Sequence, residues 1–535
     1  MPVNDTQLTP LLFLERSADA FADKVAIRHG DESITYAEMA GHATRLANAL
    51  AASGIEPGDR VAYLCPNIPE MLVAHFGVPL RHAVLVAINT RLSSEEVRYI
   101  LEHSGASLLV VDTGLSGVVA PIIDDVPTVR EVVLVDDAGI DSAVDGTPYA
   151  AFLERGLVDG EDPALPWRVD DEQRAISINY TSGTTGRPKG VMYTHRGAYL
   201  NALGEVIHSR HTPRSVYLWT LPMFHCNGWC TTWGVTGIGG THVCLRAVDP
   251  AEIWRLIESE GVTHLNAAPT VLISLANHAD AGPVEGGLIA TTAGAPPSPT
   301  IIAEMSALGV DIVHVYGLTE TYGPYTVCEV DPAWDELETA EAAKLRARQG
   351  VAFVVSDPIR VVDEEMADVP RDGETLGEVV MRGNIVMAGY YDDPAATEAA
   401  FRGGWFHSGD AAVWHPDGVI ELRDRFKDVI ISGGENISTI EVEQALMSHP
   451  AVLEAAVVAV PHPEWGERPK GFVILRDGAE ADEATLIEHV KGRLARFKAP
   501  DSVDVVPSLP KTSTGKIQKF VLREAEWQGQ AKRIN

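Results

Sequence analysis

Basic residues are scarce in this chain. Lys and Arg number 42 against 75 Asp and Glu over 535 residues, a formal charge of −33. That balance argues against a general nucleic-acid binder and against a protein that binds or inserts into anionic membranes, since both need excess positive charge. Cysteine is scarcer still. The five present, Cys65, Cys226, Cys230, Cys244 and Cys328, are too few and too unevenly spaced for a disulfide framework. Cys226 and Cys230 lie beside His225, but their spacing matches no common zinc pattern. No apolar run reaches the ~18 residues of a membrane span. The opening residues lack the basic start and apolar stretch of a secretion signal, so a reducing cytoplasm is the expected compartment. A Walker A loop is missing too. Lys189 is followed by Gly190 rather than Ser or Thr, and Pro510 stands five positions before Gly515-Lys516, where that loop requires glycine.

What is present is ordinary in bulk and specific in places. Hydrophobic content is 45% and charged content 22%, as in a folded globular protein. The length calls for a large domain and at least one smaller one. Residues 35 to 112 alternate amphipathic helices with apolar strands. Met39, Ala43, Leu46, Ala47 and Leu50 share one helical face, and Ser93 with Glu96 forms a capping box for a helix ending near Glu102. Strands are expected at 61–64, 84–88 and 108–112. This pattern predicts an α/β fold built on a mostly parallel, doubly wound sheet, whose ligands bind at the carboxyl ends of strands. The pattern resumes with strands at 216–221, 263–267, 289–292 and 311–316. Residues 331 to 347, acidic and alanine-rich, read as a solvated helix. From 357 to 418 short alternating strands suggest a small β subdomain. A compact α+β unit follows, with helices near 440–448 and 486–497 and strands at 455–460 and 472–475.

The stretch that organises the chain is Tyr180-Thr181-Ser182-Gly183-Thr184-Thr185-Gly186-Arg187-Pro188-Lys189-Gly190, directly after the apolar run Ala175–Ile178. Glycines let backbone N–H groups approach an oxyanion, hydroxyls donate to it, and a lysine neutralises its charge. Further motifs follow in order: Gly294-Ala295-Pro296, Tyr316-Gly317-Leu318-Thr319-Glu320, Trp405 to Asp410, Arg425 to Ile437, and Pro510 to Ile517. Together they resemble the adenylate-forming superfamily, most closely its short/medium-chain and benzoate-type acyl-CoA synthetases, over almost the whole chain.

The resemblance implies ATP, Mg²⁺ and coenzyme A as cofactors and a small carboxylic acid as substrate. It implies that Thr181, Ser182, Gly183, Thr184, Thr185, Gly186 and Lys189 cradle the phosphates. Gly294, Ala295 and Pro296 would flank the adenine, Tyr316 would stack on it beside Gly317, and Thr319 would bind the α-phosphate. Glu320 would hold Mg²⁺, a hard carboxylate for a hard cation. Asp410 would accept the ribose hydroxyls, and Arg425 would contact ribose and phosphate. Lys427 takes the hinge position, dividing residues 1–424, which bind ATP and acid, from a mobile unit at 428–535. Gly433 and Gly434 would line the coenzyme A tunnel, and Lys516 would be the catalytic lysine. His225 would gate the acyl pocket, while Trp229 and Trp233, four apart, would share a face on a helix. Those indoles either line the acyl pocket, which would then suit a small or medium acid, or pack the core. Three alternatives stay open: an acceptor other than coenzyme A, a different activated oxyanion, or a binder without activity. Oligomeric state is also open, a homodimer included.

Overall fold

The computed structural model describes residues 3–161, 163–181, 187–512 and 515–527. Its architecture is α/β, in a large N-terminal region and a smaller C-terminal one. Two large sheets stand where the sequence pattern read as one. The first runs, edge to edge, Gly389–Tyr390, Gly190–Thr194, Ala175–Tyr180, Val84–Ala87, Arg60–Leu64, Leu108–Asp112, Glu131–Val135 and Thr147–Pro148. Its strands from Ala175–Tyr180 onward are parallel. The second has at its centre the parallel strands Thr241–Val243, Val216–Leu218, His264–Ala267, Leu288–Thr292 and Val310–Leu318. Between the two sheets lies helix Pro69–Leu80, in which every residue but Glu70 is buried. Such a helix must be covered all round, and this one packs on strand Val84–Ala87 of the first sheet and on helices Tyr36–Ala52 and Thr231–Gly237, the latter lying against strand Thr241–Val243 of the second sheet.

Local signals place the elements well. Helix Tyr36–Ala52 starts at a Thr35–Glu38 capping box and buries Met39, Ala43, Leu46, Ala47 and Leu50, the expected face. Helix Ser94–Ser104 opens on the reciprocal Ser93–Glu96 pair and stops at Gly105, whose φ of 60° ends it. Three readings need correction. Residues 331–347 are a short 3₁₀ turn, Pro332–Glu336, and then a helix, Thr339–Arg346. Ala343 and Ala347 enter the core, where helix Thr339–Arg346 packs on helix Pro299–Ala307. The helix read at 486–497 is Glu483–Lys491, because Gly492 follows and a separate 3₁₀ turn begins at Arg496. Strand Val216–Leu218 stops three residues early, since Thr220 turns to bond the Asn266 carbonyl at 2.7 Å.

Strands Arg360–Val362, Leu376–Met381, Phe406–Trp414 and Ile420–Arg425 form an antiparallel sheet; Gly389–Tyr390 leaves it to join the first large sheet. The antiparallel sheet ends at Arg425. The next one begins at Ile430 and carries the long hairpin Val452–His462 and Gly466–Leu475.

Candidate active site

The loop expected to cradle phosphate connects antiparallel strands Ala175–Tyr180 and Gly190–Thr194. Its base is tied by Thr181 N to Lys189 O at 3.0 Å and by Lys189 N to Thr181 Oγ1 at 3.3 Å. Ser182, Gly183, Thr184, Thr185 and Gly186 lie outside the described residues. The Lys189 ammonium sits 4.5 Å from the centre of the Tyr390 ring, a cation–π contact. Tyr390 then donates its hydroxyl to Glu320 Oε1 at 2.9 Å.

Glu320 lies just past strand Val310–Leu318, in the turn Thr319–Thr321. Burial raises its pKa, against the opposing pull of the Tyr390 hydroxyl, Arg425 and Lys189. A carboxylate whose ionised form is disfavoured by desolvation gains from added positive charge. Its environment therefore fits a divalent cation bound together with phosphate oxygens. Tyr390 was not singled out in the sequence. Its only signal was the aromatic pair Tyr390-Tyr391 in a Gly-flanked run, and pairing of residues 389–390 with the strand after the phosphate loop brings it in.

Tyr316 and Asp410 come from different sheets and meet here. The Tyr316 hydroxyl donates to Asp410 Oδ2 at 2.7 Å, and Arg425 Nε lies 3.4 Å from Asp410 Oδ1. Asp410 is only 6% exposed. Gly317 must be glycine, because a Cβ there would lie 1.9 Å from the Gly323 carbonyl oxygen. Gly294 has φ +92° with open space around its Cβ position, and Ala295 beside it is exposed, with Pro296 half-buried. Room for a flat base therefore exists along that edge. Hydrogen bonds to a charged group contribute about 1.5–3 kcal/mol. Asp410→Ala is therefore expected to raise the KM for ATP about tenfold, measured by acid-dependent pyrophosphate release at saturating acid.

Lys516 reaches this cluster from the far end of the chain. Its loop is closed by Thr512 N to Lys516 O at 2.7 Å and by the bridge between Lys511 and Ile517. The loop docks on the N-terminal region through Thr270 Oγ1, which donates to Gly515 O at 3.3 Å. Arg476 adds an ion pair to Glu304 at 2.8 Å. Burial, and then the Arg425 guanidinium, lower the Lys516 ammonium from 10.5 to about 8, while Asp410 and Asp428 pull it upward. His225 faces the same charge. Burial and Lys516 lower it to about 4, so the imidazole is neutral at physiological pH. Its Nε2 is 3.7 Å from Cys226 Sγ, which in turn is 3.7 Å from Thr319 Oγ1.

The segment after His225 departs from expectation. Cys226, Asn227, Gly228, Trp229 and Cys230 all have φ between 43° and 61°, a left-handed turn. Four of these are not glycine, and each such residue costs about 1–2 kcal/mol. Trp229 and Trp233 therefore do not share a helix. Trp229 belongs to the left-handed turn and packs on Gly323, where a Cβ would come within 2.8 Å of its Cδ1. Trp233 lies in the right-handed helix Thr231–Gly237, fully buried, and donates Nε1–H to the His75 carbonyl at 3.1 Å. Gly433 and Gly434, φ +61° and +89°, form the tip of hairpin Ile430–Ser432 and Glu435–Ile437, where Gly433 N donates to Trp465 O at 2.9 Å. These contacts stay within the C-terminal unit. Lys427 sits next to Asp428, which pairs with Arg523. Asp424, just before it, accepts from Thr439 N at 2.9 Å and from Thr439 Oγ1 at 2.6 Å.

The sequence pattern described as AMP-binding enzyme matches residues 14–391, and that of the AMP-binding enzyme C-terminal domain matches residues 441–516. The chain belongs to the AMP-binding enzyme family. This AMP-binding enzyme is 45% identical over 521 residues to the 4-hydroxybutyrate–CoA ligase 2 of Metallosphaera sedula, covering 96% of this chain and 94% of that protein. It is 42% identical over 561 residues to an acetate–CoA ligase of Humulus lupulus, covering 99% and 97%. The solved structure of ATP-bound MatB from Rhodopseudomonas palustris matches it with a TM-score of 0.83 at 29% identity, covering 98% and 99%.

Proposed function

We propose that this AMP-binding enzyme is an ATP-dependent acid–CoA ligase for short- or medium-chain, or small aromatic, carboxylic acids. The observation that carries this reading is the convergence of Lys516, Arg425, Asp410 and Tyr316 beside His225, Thr319 and Glu320. One negatively charged reactant must attack another there, which requires concentrated positive charge in an otherwise acidic protein. The short acids in the names of the two relatives support the substrate class, as does the indole of Trp229 lying against Gly323.

In the first half-reaction a carboxylate oxygen bonds to the α-phosphorus of ATP and the bond to pyrophosphate breaks, leaving an acyl-adenylate. Lys516 stabilises the charge shared by carboxylate and α-phosphate, and Lys189 and the phosphate loop neutralise the pyrophosphate. Mg²⁺, held by Glu320, would screen the phosphate charge when bound. Asp410 and Arg425 orient the ribose, and Tyr316 covers the base. In the second half-reaction the thiol of coenzyme A attacks the acyl carbon, loses its proton, and AMP departs. Lys516 has no role there, and Gly433-Gly434 would approach from the C-terminal unit, 428–535, as it turns about Lys427 relative to 1–424. Positioning and charge stabilisation do the work; no protein nucleophile is needed. Neutral His225 suits a gate between the acid and the incoming thiol, since it adds no positive charge that would hold the carboxylate in the gate.

The test is pyrophosphate release from ATP across a panel of acids, with and without coenzyme A. Acid-dependent release sustained only by coenzyme A is expected, strongest for short acids. Release that coenzyme A does not sustain would redirect the acceptor, and comparable turnover of palmitate and butyrate would refute the size class. Among the described residues no helix is long and apolar enough to cross a membrane.

A further inference from the structure

Ser177 and Asn179 lie on the strand that runs into the phosphate loop, and both side chains close on Asn227 in the left-handed turn. Ser177 Oγ donates to Asn227 Oδ1 at 2.5 Å, and Asn179 Nδ2 donates to the same oxygen at 2.6 Å. Asn227 N returns a bond to Asn179 Oδ1 at 3.2 Å. All three residues are at most 1% exposed. Asn227 Nδ2 has no partner among the described residues, so its oxygen alone carries the side-chain clamp. The turn is pinned from its other end as well. Thr231 Oγ1 donates to Gly228 O at 2.6 Å and Thr232 Oγ1 to Asn227 O at 3.1 Å.

A backbone held this far from its preferred hand persists only where its surroundings over-determine it, and such segments gather at functional sites. Here the segment begins at His225 and contains Trp229. A right-handed continuation from His225 would swing the Trp229 indole off Gly323 and detach Cys226 from Thr319. Asparagine is the non-glycine residue best suited to the left-handed region, and its side chain is tied to the strand that delivers the phosphate loop.

We propose that Asn227 is a positioning and specificity-determining residue. Through Ser177 and Asn179 it fixes the left-handed turn that seats Trp229 against Gly323 and His225 near Thr319. The acyl end of the site is thereby registered to the ATP end. This assignment rests on the acid–CoA ligase reading. It is independent of direct contact, because Asn227 acts on the acid through its neighbours.

Two variants test it. Asn227→Gly still permits the left-handed backbone but deletes the clamp; Ser177→Ala removes one donor and leaves Asn227 in place. Each is assayed for pyrophosphate release with butyrate and with octanoate, together with the KM for ATP and the melting temperature. Asn227→Gly is expected to raise the KM for butyrate about tenfold, a loss of about 1.4 kcal/mol of binding. It should also flatten the preference between the two acids and leave the KM for ATP near wild type. Ser177→Ala should move the same quantities in the same direction by less, and it carries the test if Asn227→Gly does not fold. Variants that melt earlier while keeping the butyrate KM and the acid ranking would reduce the clamp to a structural role and overturn the proposal alone. A parallel rise in the KM for ATP and for acid would overturn it too. Wild type that releases no pyrophosphate with any acid would overturn the ligase reading and this proposal with it.

Discussion

Lys516→Ala is expected to slow acid-dependent pyrophosphate release by about 10²–10³-fold, the usual cost of deleting one preorganised charge donor from a transition state. Thioester formation from synthetic acyl-adenylate and coenzyme A should stay near wild type, because Lys516 acts only while two anionic reactants are pressed together. Loss of both half-reactions to the same degree would make the residue structural. The same side chain predicts a pH limb. Its ammonium, lowered to about 8 by burial and Arg425, is present below that pH and lost above it. The kcat/KM for ATP in adenylation should therefore fall about tenfold per pH unit above about 8. Bound ATP adds negative charge and raises the ammonium again, so kcat should hold to higher pH. His225, already neutral above about 4, contributes nothing in that range. Lys516→Arg should remove the limb, since a guanidinium does not titrate there. A limb that persists in the Arg variant belongs to another group.

Trp229→Ala is expected to shift preference from butyrate toward octanoate by about 10²-fold. The estimate follows from ~0.8 kcal/mol for each newly buried CH₂, applied to the four that distinguish these acids. Trp233→Phe is the contrast. It loses the Nε1–H bond to the His75 carbonyl, about 1 kcal/mol, and should lower the melting temperature while leaving the ranking of acids intact. Both are buried indoles four residues apart, and only the backbone between them separates their roles. If both variants reorder the acids, or neither does, the assignment of Trp229 to the acyl pocket fails.

Much of this site was legible as motifs. Tyr316, Asp410, Arg425 and Lys516 were each expected from motifs that resemble the family, and the structure brings them to one place. Tyr390 was not legible, because a tyrosine in a short Gly-flanked strand carries no local signal. Its role arises only when that strand pairs beside the phosphate loop. The Asn227 clamp was hidden for the same reason. Asn227 lies 50 residues from Ser177 and 48 from Asn179 in sequence, and no periodicity connects it to them.

The sequence by itself determined the α/β class and the helix caps at Thr35 and Ser93, while the phosphate-binding loop and its catalytic lysine were expected only through the motifs that resemble the family. These depend on short-range chemistry, where residue type and spacing suffice. Tertiary structure alone decided that the parallel strands divide into two sheets around an almost wholly buried helix, and that the chain turns left-handed after His225. It also decided that one tryptophan faces Gly323 while the other fills the core. Those outcomes depend on which distant surfaces must be covered and which distant polar groups must be satisfied, and local pattern contains neither.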